Sequence, residues 1–306
     1  MQSNIIGIIG PYKSEKGLGI GGYVLKYCLT YCKGATIHLL SRNKNNIDLV
    51  LNVHQALIEQ NEIQVFSYDI GQENNFFSIF FDYLFILSPS STHLKYLEKA
   101  VYQSKTIICE KPISNYPINK KSISNLACII KKHNNIILLT QRNMLFNFID
   151  IESISNATSI QLNFTKKNDL SKICFLENYL AHGLALLFNI DNSFKLKSYT
   201  FKSNINKQTL KSNIEINQKI IYLEINSKFN QKYNQIILKT NNQKTIFNCI
   251  VDNIHNRTEL NRNGETYIFE DLLINFLNQV FNDNKQFMIT TKSILSLMMV
   301  EKQFFE

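Results

Sequence analysis

Short apolar runs of strand length alternate with amphipathic stretches through the first half of the chain. Asn4–Gly10 opens as a strand, Tyr23–Cys32 follows with helical spacing, and Thr36–Leu40 is a second strand. Val53–Gln60 predicts a helix and Val65–Tyr68 a third strand. Asp82–Leu87 is a further apolar run, stopped by Ser88-Pro89-Ser90-Ser91. Thr92–Gln103 then carries Leu94, Leu97, Ala100 and Val101 at i, i+3, i+6 and i+7, the spacing of one helix face. Thr106–Cys109 is another buried-type strand, followed by helix Asn119–His133 and strand Asn135–Thr140. Continuous apolar strands alternating with helices predict an α/β fold, a doubly wound parallel sheet of the dinucleotide-binding type over residues 1–143.

The pattern changes after residue 143. A helical stretch surrounds His182, and Lys219–Ser227, Asn234–Lys239 and Lys244–Val251 are β-rich with turn residues between them. Thr266–Asn282 and Thr290–Phe305 return to helical periodicity. Residues 144–306 therefore predict a second, α+β domain built on a mostly antiparallel sheet. Neither an internal repeat nor a low-complexity linker separates the halves.

Composition narrows the picture. At 306 residues, with 44% hydrophobic residues and 21 Phe, the chain has enough apolar material for two cores. The formal net charge of +9 raises the question of nucleic acid, but the lysines are dispersed and no basic run is interleaved with aromatics. A solvated basic surface attractive to a phosphorylated small molecule is the better reading, with no nucleic-acid partner. The six cysteines form no CxxC pair and no His or Cys cluster completes a metal site, so reduced thiols and no metal are expected. No signal peptide precedes the first strand, and no apolar stretch reaches the roughly 18 residues of a membrane span. A cytoplasmic protein with no membrane partner is expected.

Candidate chemistry collects at strand ends, where ligands sit in doubly wound sheets. Ser88-Pro89 follows one strand, His93 lies four residues after that proline, and Glu110-Lys111-Pro112 follows the next strand. In this spacing the segment resembles the glucose–fructose oxidoreductase / inositol dehydrogenase (Gfo/Idh/MocA) family. The resemblance is strong to about Gln141 and loose beyond it. It implies a nicotinamide dinucleotide bound by the first domain, with Ser88, Pro89, His93, Glu110 and Lys111 around it, and a second domain that binds substrate. It also implies assembly as a homodimer or homotetramer.

A dinucleotide needs glycines after the first strand, so that backbone amides and the next helix can approach a pyrophosphate. Gly7 and Gly10 end the strand, and Gly17, Gly19 and Gly22 match G-x-G-x-x-G immediately before the helix. The motif is displaced from the strand end by an insertion of about six residues, Pro11–Lys16, in which Lys13 and Lys16 are candidates to meet a phosphate. The phosphate site is expected at Gly19–Gly22. At the end of the second strand the chain runs Leu40-Ser41-Arg42-Asn43, with no carboxylate to hold a ribose diol. Ser41 and Arg42 suit a 2′-phosphate, so NADP(H) is preferred, with NAD(H) possible.

For the reacting groups, the resemblance implies Lys111 near nicotinamide and substrate. A lysine desolvated beside a cationic ring can release or hold a proton as the reaction requires. The family also carries Asp-x-x-x-His in its second half. Here the stretch is Asn178-Tyr179-Leu180-Ala181-His182, so the histidine is present and Asn replaces the carboxylate. Asn cannot stabilise an imidazolium as Asp does. His182 is thus either a weakened acid–base group or a packed core histidine, and Tyr179 offers a hydroxyl in place of the missing carboxylate. Glu177 lies about 100° around the helix and substitutes poorly. Arg142, after the last parallel strand, is a candidate for a substrate carboxylate or phosphate, or pairs elsewhere.

These readings converge on an NAD(P)-dependent oxidoreductase acting on a small polar substrate, a sugar or nucleotide-sugar. Two alternatives remain open: an imine reductase of a natural-product or siderophore pathway, and a non-catalytic dinucleotide-binding sensor or scaffold.

Overall fold

In a computed structural model, β1 (Ile5–Ile9), α1 (Ile20–Tyr31), β2 (Thr36–Leu40), α2 (Lys44–Val53), α3 (Gln55–Gln60) and β3 (Gln64–Tyr68) begin the chain. The short α4 (Glu73–Phe76), β4 (Phe81–Ile86), α5 (His93–Ala100), β5 (Ser104–Glu110), α6 (Lys120–Lys132) and β6 (Ile136–Leu139) follow. Then come β7 (Ser159–Thr165), α7 (Lys172–Phe188), β8 (Phe194–Ser203), β9 (Lys207–Ile216), β10 (Lys219–Lys228), β11 (Asn234–Lys239) and β12 (Lys244–Asp252). The chain closes with β13 (Arg257–Arg262), β14 (Glu265–Glu270), α8 (Leu272–Phe281), β15 (Ile289–Thr290) and α9 (Thr291–Gln303). The structure describes residues 4–11, 19–42, 44–140, 144, 156–165, 171–188, 194–204, 207–216, 218–228, 234–239, 244–252, 257–262, 265–284 and 288–305.

Two units emerge. The first comprises Met1–Asn115, Lys120–Leu139 and Thr290–Lys292; the second comprises Tyr116–Asn119, Thr140–Ile289 and Ser293–Glu306. In the first, strands run in the order β3-β2-β1-β4-β5-β6, with β15 added at the β6 edge. The β1–β2, β2–β3, β1–β4, β4–β5 and β5–β6 pairs are all parallel. This is the doubly wound arrangement the alternating pattern predicts. Its strands are apolar because both faces are covered: Ile6, Ile8, Leu84, Phe85, Ile107 and Ile108 are completely buried. At the β6 edge the Ile136 amide donates to Thr291 Oγ1 at 2.8 Å, so residues far along the chain finish this sheet.

Between β2 and β3 the expected single helix at Val53–Gln60 is two helices, α2 and α3, interrupted at His54 (φ −106°, ψ 11°). Asn45 and Asn46, poor helix formers, obscure α2 from propensity, yet its buried Ile47 anchors it.

The second unit is an eight-stranded sheet in the order β14-β13-β12-β11-β7-β10-β9-β8. All its neighbours pair antiparallel except β7 with β10, which run parallel. Alternation along the central strands separates two faces. Leu162, Phe164, Leu210, Ile214, Leu223 and Ile225 fill one of them and are buried. The other carries a polar lattice centred on Asn226, which donates to Asn163 Oδ1 at 2.9 Å and to Glu224 Oε1 at 2.8 Å, while Thr209 Oγ1 donates to Asn226 Oδ1 at 2.8 Å.

Thr266–Glu270 belongs to β14, not to a helix, and pairs with β13 through Leu260↔Tyr267 and Glu259↔Ile268. Thr, Tyr, Ile and Phe in succession suit a pleated surface better than a helix. The helix starts only after Asp271, whose carboxylate accepts the Leu273 amide at 2.8 Å as an N-cap.

Candidate functional site: the strand-end crevice and the second-unit helix

In the first unit the strand order reverses between β1 and β4, which opens a crevice beyond their carboxyl ends. Gly10 ends β1 with φ +78°, a left-handed conformation that favours glycine. Its amide donates to Leu40 O at 2.9 Å, and a Cβ there would lie 2.9 Å from Leu87 O and Ser88 Cα. Across from it, a Cβ on Gly21 would overlap the Gly10 carbonyl oxygen and lie 3.0 Å from Pro11 Cα. Helix α1 therefore starts in direct backbone contact with the strand end. Gly19 is its N-cap and offers no side-chain cap, the Gly22 amide donates to Gly19 O at 2.9 Å, and the first turn carries no acidic residue.

Such an uncapped amide-rich start, held against a glycine strand end, fits the pyrophosphate of a dinucleotide. The helix–strand packing role falls on Gly21, which the literal Gly17, Gly19, Gly22 frame passes over. The signal in the sequence was the run Gly19-Ile20-Gly21-Gly22 itself, which supplies three glycines in two competing frames. Gly17, Lys13 and Lys16 lie outside the described residues.

At the end of β2, the Ser41 amide donates to Tyr68 O at 3.0 Å, which leaves the hydroxyl half-buried at the strand terminus. Arg42 is exposed, and its charge acts on the Tyr96 phenol of α5. Burial pushes that phenol up, Glu73 adds to the effect, and Lys95 and Arg42 oppose it.

The β4 and β5 ends are tied together. Thr92 Oγ1 donates to Pro89 O at 2.7 Å, so its single proton is committed and Ser88 Oγ is the donor in the 2.7 Å contact between the two hydroxyls. His93, 1% exposed, places Nδ1 2.7 Å from Pro112 O and Nε2 2.6 Å from Ser88 O. Glu110 ends β5, Lys111 is half-buried and Pro112 buried, with the Lys111-Pro112 peptide cis. The first unit thus places Gly10, Ser88 and Lys111 just beyond the carboxyl ends of β1, β4 and β5, with Gly19 and Gly22 at the start of α1 and His93 at the start of α5.

The second-unit candidates sit on α7. Gly183 brings this helix close to its sheet: a Cβ there would lie 2.8 Å from Ile225 Cδ1 and 3.4 Å from Leu162 Cδ1. Tyr179 stacks on Phe164 with ring centroids 4.7 Å apart and meets Phe175 edge-on at 5.1 Å. His182, 7% exposed, lies 6.1 Å from the same Phe164 ring. Asn178 falls within α7, its side chain outside the described set, and Arg142 lies outside the described residues altogether. The charge of Glu177 acts on Tyr116, whose phenol is pushed well up by burial and by Glu301 beside it. Among the described residues there is no cluster of three metal-ligating side chains, and no helix is long and apolar enough to cross a membrane.

No family model and no curated sequence matches the chain. Solved structures do. A dehydrogenase (MviM) from Clostridium difficile is 14% identical, with 99% of each chain covered and a TM-score of 0.68. A Gfo/Idh/MocA family oxidoreductase from Vibrio cholerae is 11% identical, covering 99% of this chain and 97% of that one, with a TM-score of 0.68. The UDP-N-acetylglucosamine 3-dehydrogenase GnnA from Acidithiobacillus ferrooxidans is 11% identical over 100% of both chains, with a TM-score of 0.66. The chain shares the fold of the Gfo/Idh/MocA oxidoreductases along nearly its whole length.

Proposed function

We propose that the chain is an NAD(P)-dependent oxidoreductase that favours NADP(H) and acts on a small polar substrate, a sugar or nucleotide-sugar. The observation that carries this reading is the backbone contact of Gly21 on Gly10 at the strand-order reversal, with Lys111 on a neighbouring strand end. The amides at the start of α1 hold the pyrophosphate, and Ser41 and Arg42 receive the 2′-phosphate. A bound nicotinamide dinucleotide supplies hydride transfer. Lys111 Nζ holds or accepts the proton of the substrate hydroxyl that becomes, or comes from, a carbonyl. His182 is buried with its ring centroid 6.1 Å from that of Phe164, and we assign the proton to Lys111 instead. The nucleotide-sugar substrate class draws support from the structural likeness to the UDP-N-acetylglucosamine 3-dehydrogenase GnnA. Assembly as a homodimer or homotetramer is proposed on the family resemblance.

The test is turnover by Lys111→Ala with a panel of UDP-sugars and NADP+. Loss of turnover with NADPH binding retained is the expected result; unchanged turnover sinks the role of Lys111. The same burial of His182 favours one second reading, a dinucleotide-binding sensor. That reading predicts NADPH binding with no turnover of sugars or imines by the wild type.

A further inference from the structure

His93 presents both ring nitrogens to carbonyl oxygens, Nδ1 to Pro112 at 2.7 Å and Nε2 to Ser88 at 2.6 Å. A carbonyl can only accept, so each short contact needs an N–H on the ring. Neutral imidazole has one N–H; imidazolium has two. With the neutral ring, one nitrogen lone pair faces an oxygen lone pair, and that contact must lengthen. The two carbonyls belong to the ends of different strands: Ser88 follows β4, and Pro112 is bonded to Lys111 after β5. Resting on the function proposed above, we infer that His93 is a positioning residue whose doubly protonated ring clamps these strand ends together and sets the backbone of Lys111 for the cofactor, releasing one side when it loses a proton.

Burial pulls the ring toward the neutral form, the two carbonyls pull it back, and the balance lies below the ordinary histidine value. The clamp is therefore complete on the acid side and half-open at neutral pH. The other titratable groups on the surrounding elements are Asp82 and Tyr83 of β4, Lys95, Tyr96, Glu98 and Lys99 of α5, Lys105, Cys109 and Glu110 of β5, Lys111, and Lys120, Lys121, Cys128, Lys131 and Lys132 of α6. Burial, followed by the two carbonyls, dominates the proton affinity of the ring. Lys95 and Lys99 are both engaged by Glu73.

The experiment has two arms. In cofactor-free protein labelled with 15N-histidine, the His93 ring should carry protons on both nitrogens at the acid end and lose one with a midpoint below about 6.5. A ring with one protonated nitrogen throughout overturns the inference. In the second arm, the Kd of NADPH is followed over the same range for wild type and His93→Gln, whose amide places one donor nitrogen and one acceptor oxygen and does not titrate. Wild-type binding should weaken by about threefold as the clamp opens, the scale of one hydrogen bond. The variant should stay at the wild-type alkaline value, once the titration common to both from the 2′-phosphate is subtracted. A variant that keeps the wild-type profile also overturns it. If no dinucleotide binds, the cofactor reading fails and the ring titration alone decides whether the clamp exists.

Discussion

Gly21 packs its α-carbon on the carbonyl oxygen of Gly10, so helix α1 and strand β1 meet backbone to backbone where a dinucleotide phosphate would enter. Any side chain at position 21 must push the helix off the strand end. Gly21→Ala is expected to cost about 1–3 kcal/mol, the usual scale of overpacking, and to weaken NADPH binding more than tenfold. The control is Gly34→Ala, where φ is +71° and a Cβ would meet nothing within 4 Å. It should cost about 1 kcal/mol of backbone strain and leave binding alone. Urea unfolding and NADPH titration of both variants check the pair.

Glu73 bridges two lysines of α5, donating nothing and accepting from Lys95 Nζ at 2.9 Å while it also pairs with Lys99. Burial alone would push this carboxyl up, but Lys99 and Lys95 together hold it below its ordinary value. Since the folded pKa is depressed, the stabilisation is complete above the unfolded value of about 4.3 and disappears as pH falls through the folded value. Glu73→Gln should destabilise by about 1 kcal/mol at neutral pH, since both lysines remain partly solvated. The difference should vanish at the acid end of a pH series of thermal melts. A constant difference across that series would contradict the stabilising role of the paired Glu73 carboxylate.

Asn226 is completely buried and holds Asn163, Glu224 and Thr209 at once. Replacing it with Ala removes the shared partner of three polar groups in the second unit. A loss of about 2–4 kcal/mol is expected in denaturant unfolding, well beyond that of an exposed Asn213→Ala.

Arg42 is the cation at the end of β2. Arg42→Ala should weaken NADPH by roughly 10- to 100-fold, the value of a charge-assisted contact to a phosphate, and NADH by little. Equal weakening of both in parallel titrations refutes the 2′-phosphate assignment.

Much of the first unit was legible because parallel strands buried on both faces leave uninterrupted apolar runs, as at Asp82–Leu87 and Thr106–Cys109. The turn Glu110-Lys111-Pro112 was legible for a different reason, its fixed spacing from Ser88-Pro89 and His93. What stayed hidden depends on contacts. Nothing local distinguishes Gly21 from Gly22; only the approach of the Gly10 carbonyl does. Thr266–Glu270 fits a helix by periodicity until β13 is there to pair with it. In the sequence His93 reads as one more cofactor neighbour; its two carbonyl partners, 5 and 19 residues away, are set by tertiary structure.

The proposed function requires that the crevice at Gly10 and Gly21 hold a dinucleotide with its 2′-phosphate at Ser41 and Arg42. The most direct test is a fluorescence titration of the purified wild type with NADPH and with NADH. Saturable binding is expected, with NADPH at least tenfold tighter than NADH, the scale of one charge-assisted phosphate contact. Binding of neither nucleotide, with Gly21→Ala indistinguishable from wild type, would contradict it.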